Sequence, residues 1–193
     1  MIPSQLIKEA ENFLEDSVGV YKRPPLALFR LATSKGQELA EKLGARKDIV
    51  EAGTLFMDCL LPRAIAEERV AEHVLMSWEK SCEIIEKYPQ VSSEEKENIH
   101  RCVLEHHGVT NFYSLESEVC CNADCYKFLS VEGVLMNIRG NSDLSTHDLM
   151  VLLNDKADEK WNAISIPSVR EELAEQYDII KKFLKVFLER VNE

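Results

Sequence analysis

The chain has 193 residues, with 23 Lys and Arg against 34 Asp and Glu and a formal net charge of −11. That length supports one domain whose core needs no disulfide or metal staple, and the acidic balance repels phosphate backbones, which excludes a nucleic acid polymer as the expected partner. No apolar run reaches the roughly 18 residues of a membrane span, and "MIPSQLIKEAENFLEDS" has no signal-peptide core, so a cytoplasmic protein that makes no membrane contact and keeps its cysteines reduced is expected.

Helical periodicity runs nearly throughout and strand signals are absent. A first helix is expected over residues 4–15. Pro24 and Pro25 open a second, with Leu28, Leu31, Ala32, Leu39 and Leu43 as its buried stripe and Gly44 as its stop. A third runs from Asp48 to Leu61, ended by Pro62. The fourth is "EERVAEHVLMSWEKSCEIIEKY", closed by Pro89. Ser92 with Glu95 forms a capping box for the fifth, which ends at Gly108. Ser114 caps a long sixth helix from Leu115 to Ile138, Ser145 begins a seventh, and Pro167 lies at the start of a last amphipathic helix. These eight helices predict a compact all-α bundle: one domain over residues 1–193, with its core in 25–140 and helices of 145–192 packed on it.

Several polar residues are stranded on apolar helices. Asp58 sits in "TLFMDCLLP", Asp124 in "EVCCNADCYKFL" and His73 in "RVAEHVLMSW". Burying a carboxylate in such a run is costly unless it is paired or binds a cation. Singly, each has a bland reading: backbone N–H bonds for Asp58, an arginine partner for Asp124, a satisfied core imidazole for His73. His106 and His107, in "VLEHHGV", equally suit the negative end of a helix dipole. Together, Asp58, His73, His106, His107 and Asp124 come from four successive helices. Carboxylate plus imidazole suits a divalent transition metal, and bundles build such sites from facing helices. Adjacent histidines on a helix point about 100° apart, so two can share an ion only where the helix ends, as Gly108 permits. "CCNADC" matches no zinc spacing and reads as core thiols. His147-Asp148, in "STHDLM", reads as a helix start.

The run "GQELAEKLGARKDIVEAGTLFMDCLLP…AEHVLMSWEKSCEII…IHRCVLEHHG…EVCCNADCYKFLSVEGVL" resembles the HD-domain superfamily of metal-dependent phosphohydrolases over residues 25–140, "NADCYKFLSVEGVL" being its most specific part. The resemblance implies an HD-like bundle in which His and Asp residues hold one or two metals that activate water against a phosphoester. It is broken at two places. Met57 stands where the family has the His of its His-Asp pair, and Leu28 or a neighbour stands where it has an early histidine; no histidine precedes His73. In two-metal relatives the positions matching Asp58, His73 and the histidine pair form the second metal site, whereas Asp124 belongs to the damaged half.

Two readings follow. The first is a metal-dependent phosphohydrolase. Its divalent ion (Mn, Fe, Ni, Zn or Mg) is held by Asp58, His73, His106, His107 and Asp124, with Asp58 and Lys127 catalytic. Arg101, Lys127 and Arg139 neutralise the phosphate of a small phosphorylated molecule or nucleotide. The alternative is an inactive HD-fold pseudoenzyme that binds a ligand or partner, because Leu and Met at ligand positions close a pocket against water. A homodimer stays open under either, as does an unrelated all-α protein with incidental histidines.

Overall fold

The computed structural model describes residues 1–190. Its order is α1 (Ser4–Tyr21), α2 (Leu26–Leu43), α3 (Lys47–Phe56), α4 (Leu61–Ala66), a 3-10 turn (Val70–Glu72), α5 (His73–Ile85), α6 (Ser93–Glu105), α7 (Leu115–Leu129), α8 (Val131–Gly140), α9 (Thr146–Ala163) and α10 (Pro167–Arg190). The expected start and stop signals operate locally. Gly44 closes α2 in the left-handed region at φ 78°, where a side chain would strain the backbone. Ser92 and Glu95 form the reciprocal capping box of α6, and Ser145 Oγ accepts from Asp148 N at the start of α9.

The structure corrects four boundaries, one of which splits an expected helix. The stripe Leu6, Ala10, Leu14 and Val18 keeps helical spacing beyond residue 15, so α1 continues to Tyr21. The third helix stops at Phe56; residues 57–60 form a tight turn, and Pro62 lies in the first turn of α4 instead of ending its predecessor. The fourth begins at His73, after the 3-10 turn. The sixth breaks at Ser130, whose extended backbone (φ −97°, ψ 147°) lets its hydroxyl accept from Gly133 N and start α8.

α7 is buried from Ser117 to Leu129 apart from the partly exposed Glu118 and Phe128. A helix apolar on most sides belongs at a bundle centre, and α2, α3, α6, α8, α9 and α10 all pack on it. The main core joins α1 to α7 with the end of α9 and the start of α10. A smaller cluster of Val134, Leu149, Met150, Leu153, Ile180 and Leu184 ties α8, α9 and α10 together. Among the described residues no helix is long and apolar enough to cross a membrane.

Gly53 sets how closely α3 approaches α6 and α7. A Cβ there would lie 2.5 Å from Cys102 Cβ and 2.8 Å from Cys120 Sγ. Gly53→Ala is therefore expected to lose about 1–3 kcal/mol through overpacking, despite the better helix propensity of alanine. Urea unfolding against wild type reads this directly, and an unchanged midpoint would mean that α3 can move away freely.

Candidate metal centre

Five segments deliver the polar residues to one place. Asp58 comes from the turn between α3 and α4, His73 from the first residue of α5, His106 and His107 from the end of α6, Asp124 and Lys127 from α7, and Glu159 and Lys160 from α9. The end of α6 is what lets two adjacent histidines converge. Its last helical residue is Glu105, and Gly108 turns the chain at φ 92°. The two rings then lie with centroids 4.3 Å apart.

Each of the three rings is anchored through Nδ1. His73 Nδ1 lies 2.6 Å from the Val70 carbonyl and His106 Nδ1 2.6 Å from the Val103 carbonyl. A carbonyl only accepts, so both Nδ1 atoms carry the proton and donate. His107 Nδ1 lies 2.9 Å from Glu159 Oε1, to which it donates when protonated there, and 3.1 Å from Lys160 Nζ, a donor that contends for the same nitrogen. The Glu159 carboxyl is held far below its usual range, first by that histidine bond. A ring fixed at Nδ1 by a carbonyl or carboxylate presents Nε2 as a lone pair, which is how proteins orient metal-binding histidines.

The three lone pairs meet beside Asp58. Nε2 of His73 lies 3.1 Å from Nε2 of His107, and Asp58 Oδ1 lies 3.3 Å from Nε2 of both His73 and His106. Asp58 Oδ1 and His106 Nε2 are buried without a hydrogen-bond partner. Acceptors facing acceptors at such distances need a cation among them, either a proton or a metal ion. An ion with ligands about 2.1 Å away holds neighbouring donors roughly 3.0–3.4 Å apart, so the donor set fits one. His73, His106 and His107 form a cluster of ligand atoms all within 4.8 Å of one another, and among the described residues that cluster contains no cysteine.

The other half of the centre is filled by ammonium groups. Lys127 Nζ donates to Asp58 Oδ2 at 2.6 Å and lies 2.7 Å from Asp124 Oδ1. Lys160 Nζ lies 2.7 Å from Asp124 Oδ2. Burial alone would raise the Asp58 and Asp124 carboxyls; Lys127 beside both, with Lys160 beside Asp124, brings them well below the usual range. Burial would likewise lower both ammoniums, and the carboxylates outweigh it and raise them.

Asp124 is thus in the cluster but separated from the histidines' common point by its lysine partners. Lys127, expected to reach for phosphate, is 4% exposed and spent on two carboxylates. Arg101 pairs with Glu97 at 2.6 Å and lies over the Tyr113 ring, while Arg139 is exposed in the last turn of α8. Neither arginine contacts the centre through the bonds the structure shows. His147 and Asp148 are exposed at the start of α9. The cysteines of "CCNADC" donate to backbone carbonyls, as Cys121 does to Ala163 and Cys125 to Cys121.

Two members of the centre escaped the sequence reading. Glu159 carries no signal, but Lys160 does: it continues the buried spacing Leu149, Leu153, Ala157 along α9 and is 1% exposed. A lysine on an apolar stripe asks for a buried carboxylate, and Asp124 is that partner. A cleft of about 420 Å³, lined by Gly108, Thr110, Glu159, Asn162 and Ser165 among others, borders the centre at His107.

Compared with profiles of protein families and with curated proteins, the chain matches none. Among solved structures it is similar to one described as a predicted HD superfamily hydrolase from an uncultured Thermotogales bacterium. The superposition covers 95% of this chain and 91% of that one at a TM-score of 0.65, with 12% sequence identity. The chain shares the fold of that structure. Identity that low carries the architecture, while the ligand set rests on the side chains described above.

Proposed function

We propose that this HD-fold protein is a metal-dependent hydrolase of a small phosphorylated molecule or nucleotide, working with a single divalent ion held by His73, His106, His107 and Asp58. The observation that carries this reading is the convergence of three Nδ1-anchored imidazoles on the partnerless oxygen of Asp58. A divalent ion bound there supplies a Lewis acid for a phosphoryl oxygen and an acidified water. The chain supplies the rest. The Val70 and Val103 carbonyls and Glu159 fix the ring directions, Lys127 holds Asp58 from the opposite side, and the cleft beside His107 admits the ligand. The HD hydrolase description of the structural neighbour supports the reaction class.

A second reading, a binding module without turnover, is favoured by one specific feature. The cleft is lined by no Lys or Arg, and the two nearest ammonium groups of the centre are committed to Asp58 and Asp124. A phosphate entering there meets no free cation other than a bound ion.

Elemental analysis of untagged protein decides between the readings when paired with a phosphomonoester and nucleotide screen. About one transition-metal ion per chain is expected, lost in the His73→Ala, His107→Ala double variant, with turnover that follows metal content. Metal without turnover leaves the binding module, and no metal in wild type sinks the hydrolase.

A further inference from the structure

We propose that the Lys127 ammonium stands in for a metal ion between Asp58 and Asp124, so that removing this side chain turns the two carboxylates into a divalent-cation site. The inference depends neither on turnover nor on an ion at the histidines. It starts from the cost of burial. An ammonium and two carboxylates lose several kcal/mol each on leaving water unless their charges and donors are matched. Here one ammonium is shared by both carboxylates, at 2.6 Å from Asp58 on the α3–α4 turn and 2.7 Å from Asp124 one turn earlier on α7. Its remaining face lies 5.2 Å from the centre of the Phe29 ring, a cation–π contact.

The surroundings match a lysine better than an ion. Phe29, whose ring faces the ammonium, and the buried chain neighbours Leu28 (of Phe29) and Met57 (of Asp58) are each 2% exposed or less, and none offers a nitrogen or oxygen from its side chain. A divalent ion between these carboxylates would need further donors, which those side chains deny. An ammonium brings its own three hydrogens and needs only acceptors. The Phe29 ring against the ammonium and the lysine at 127 are therefore consistent with each other: an aromatic face suits a tethered cation and offers no ligand to an ion. Lys160 keeps Asp124 in place from its other oxygen, so the pair stays assembled when Lys127 is shortened, and water can enter the space to complete an ion's shell.

The test uses Mn2+ alone, in the His73→Ala, His107→Ala background, so that ions at the histidines do not contribute. Equilibrium dialysis and electron paramagnetic resonance should show no tightly bound Mn2+ in that parent and about one ion per chain after adding Lys127→Ala. Thermal unfolding gives an independent readout: Mn2+ should raise the Tm of the Lys127→Ala protein and leave the parent unchanged. Uptake by the parent at the same level as the variant, or a Tm that ignores Mn2+ in both, overturns the proposal. If Lys127→Ala does not fold, Lys127→Ser, which leaves the space open and adds one oxygen donor, decides the matter. Mn2+ must then raise its Tm by more than it raises that of the parent, and no difference overturns the proposal. These outcomes are separate from those of the hydrolase reading, because wild type can lack metal altogether while the Lys127→Ala variant gains it.

Discussion

Asp58→Ala is expected to cost about 3–5 kcal/mol of stability and to abolish metal binding, whereas Asp58→Asn is expected to abolish metal binding at a smaller cost. The difference follows from the two sides of the carboxylate. Oδ2 accepts from Lys127, and Oδ1 faces Nε2 of His73 and His106. Alanine leaves two buried ammonium groups, Lys127 and Lys160, with Asp124 as their one shared carboxylate, and it opens a cavity at a residue only 4% exposed. Asparagine keeps the volume. Its carbonyl oxygen still accepts from Lys127, and its amide can donate to the imidazole lone pairs that otherwise face a carboxylate, sparing part of the roughly 1–3 kcal/mol that an unsatisfied buried group costs. A neutral amide is a poor ligand beside three neutral imidazoles, so the ion is lost in both variants. Urea unfolding in the presence of a chelator, with metal content measured on the same samples, checks each half. Equal destabilisation by the two substitutions would mean that charge alone matters at Asp58 and that the orientation of the histidine lone pairs does not.

The sequence carried the helices well because each depends on local chemistry: a stripe at 3.6-residue spacing, a Ser at the start, a Gly or Pro at the end. It failed where a boundary depends on tertiary contact. The break at Ser130 interrupts an apolar run with good helix formers on both sides, and it is fixed by α8 packing so tightly that a Cβ on Gly133 would lie 2.4 Å from the Tyr126 carbonyl. Pro62 ends a helix or begins one with equal local justification; the Leu60 N–H bond to Ser77 Oγ is among the contacts that settle the turn before it. The centre divides in the same way. Histidines and aspartates on apolar stripes are conspicuous in any sequence, and the structure brings His73, His106 and His107 together beside Asp58, with Asp124 held apart from them by its lysine partners. Lysines are abundant and usually solvated, so Lys127 drew the commoner role of a phosphate contact, and Lys160 drew none. What placed them was the charge balance of the assembled interior, two ammonium groups against two carboxylates, which becomes visible only when α7, α9 and the α3–α4 turn are joined.

That balance leaves one proton to account for, and it makes metal binding depend on pH. In the metal-free protein the lone pairs around Asp58 need a cation, and His73 is the ring that takes the proton. Burial alone would lower its pKa, but the hydrogen bond and charge of Asp58 outweigh burial and raise it above the ordinary 6.5. His107, more affected by burial than by Glu159, is lowered and stays neutral over the same range. The sign follows directly. A raised imidazole pKa stabilises the metal-free fold fully below the unfolded-state value, and this contribution is lost as pH rises through the folded-state value. Metal binding runs the other way, because the ion must displace that proton. Apparent affinity should weaken about tenfold for each pH unit below the His73 titration and level off above it. The Tm of chelated protein should fall across the window just above 6.5 in which the Tm of metal-loaded protein rises. Calorimetry in two buffers of different ionisation enthalpy then counts about one proton released per ion on the acid side and none on the alkaline side. Asp58→Asn removes the charge that raises His73 and should abolish the fall of the chelated Tm in that window. A proton count of zero throughout would place the cation of the metal-free centre elsewhere, and with it the claim that His73 and the ion compete for one point.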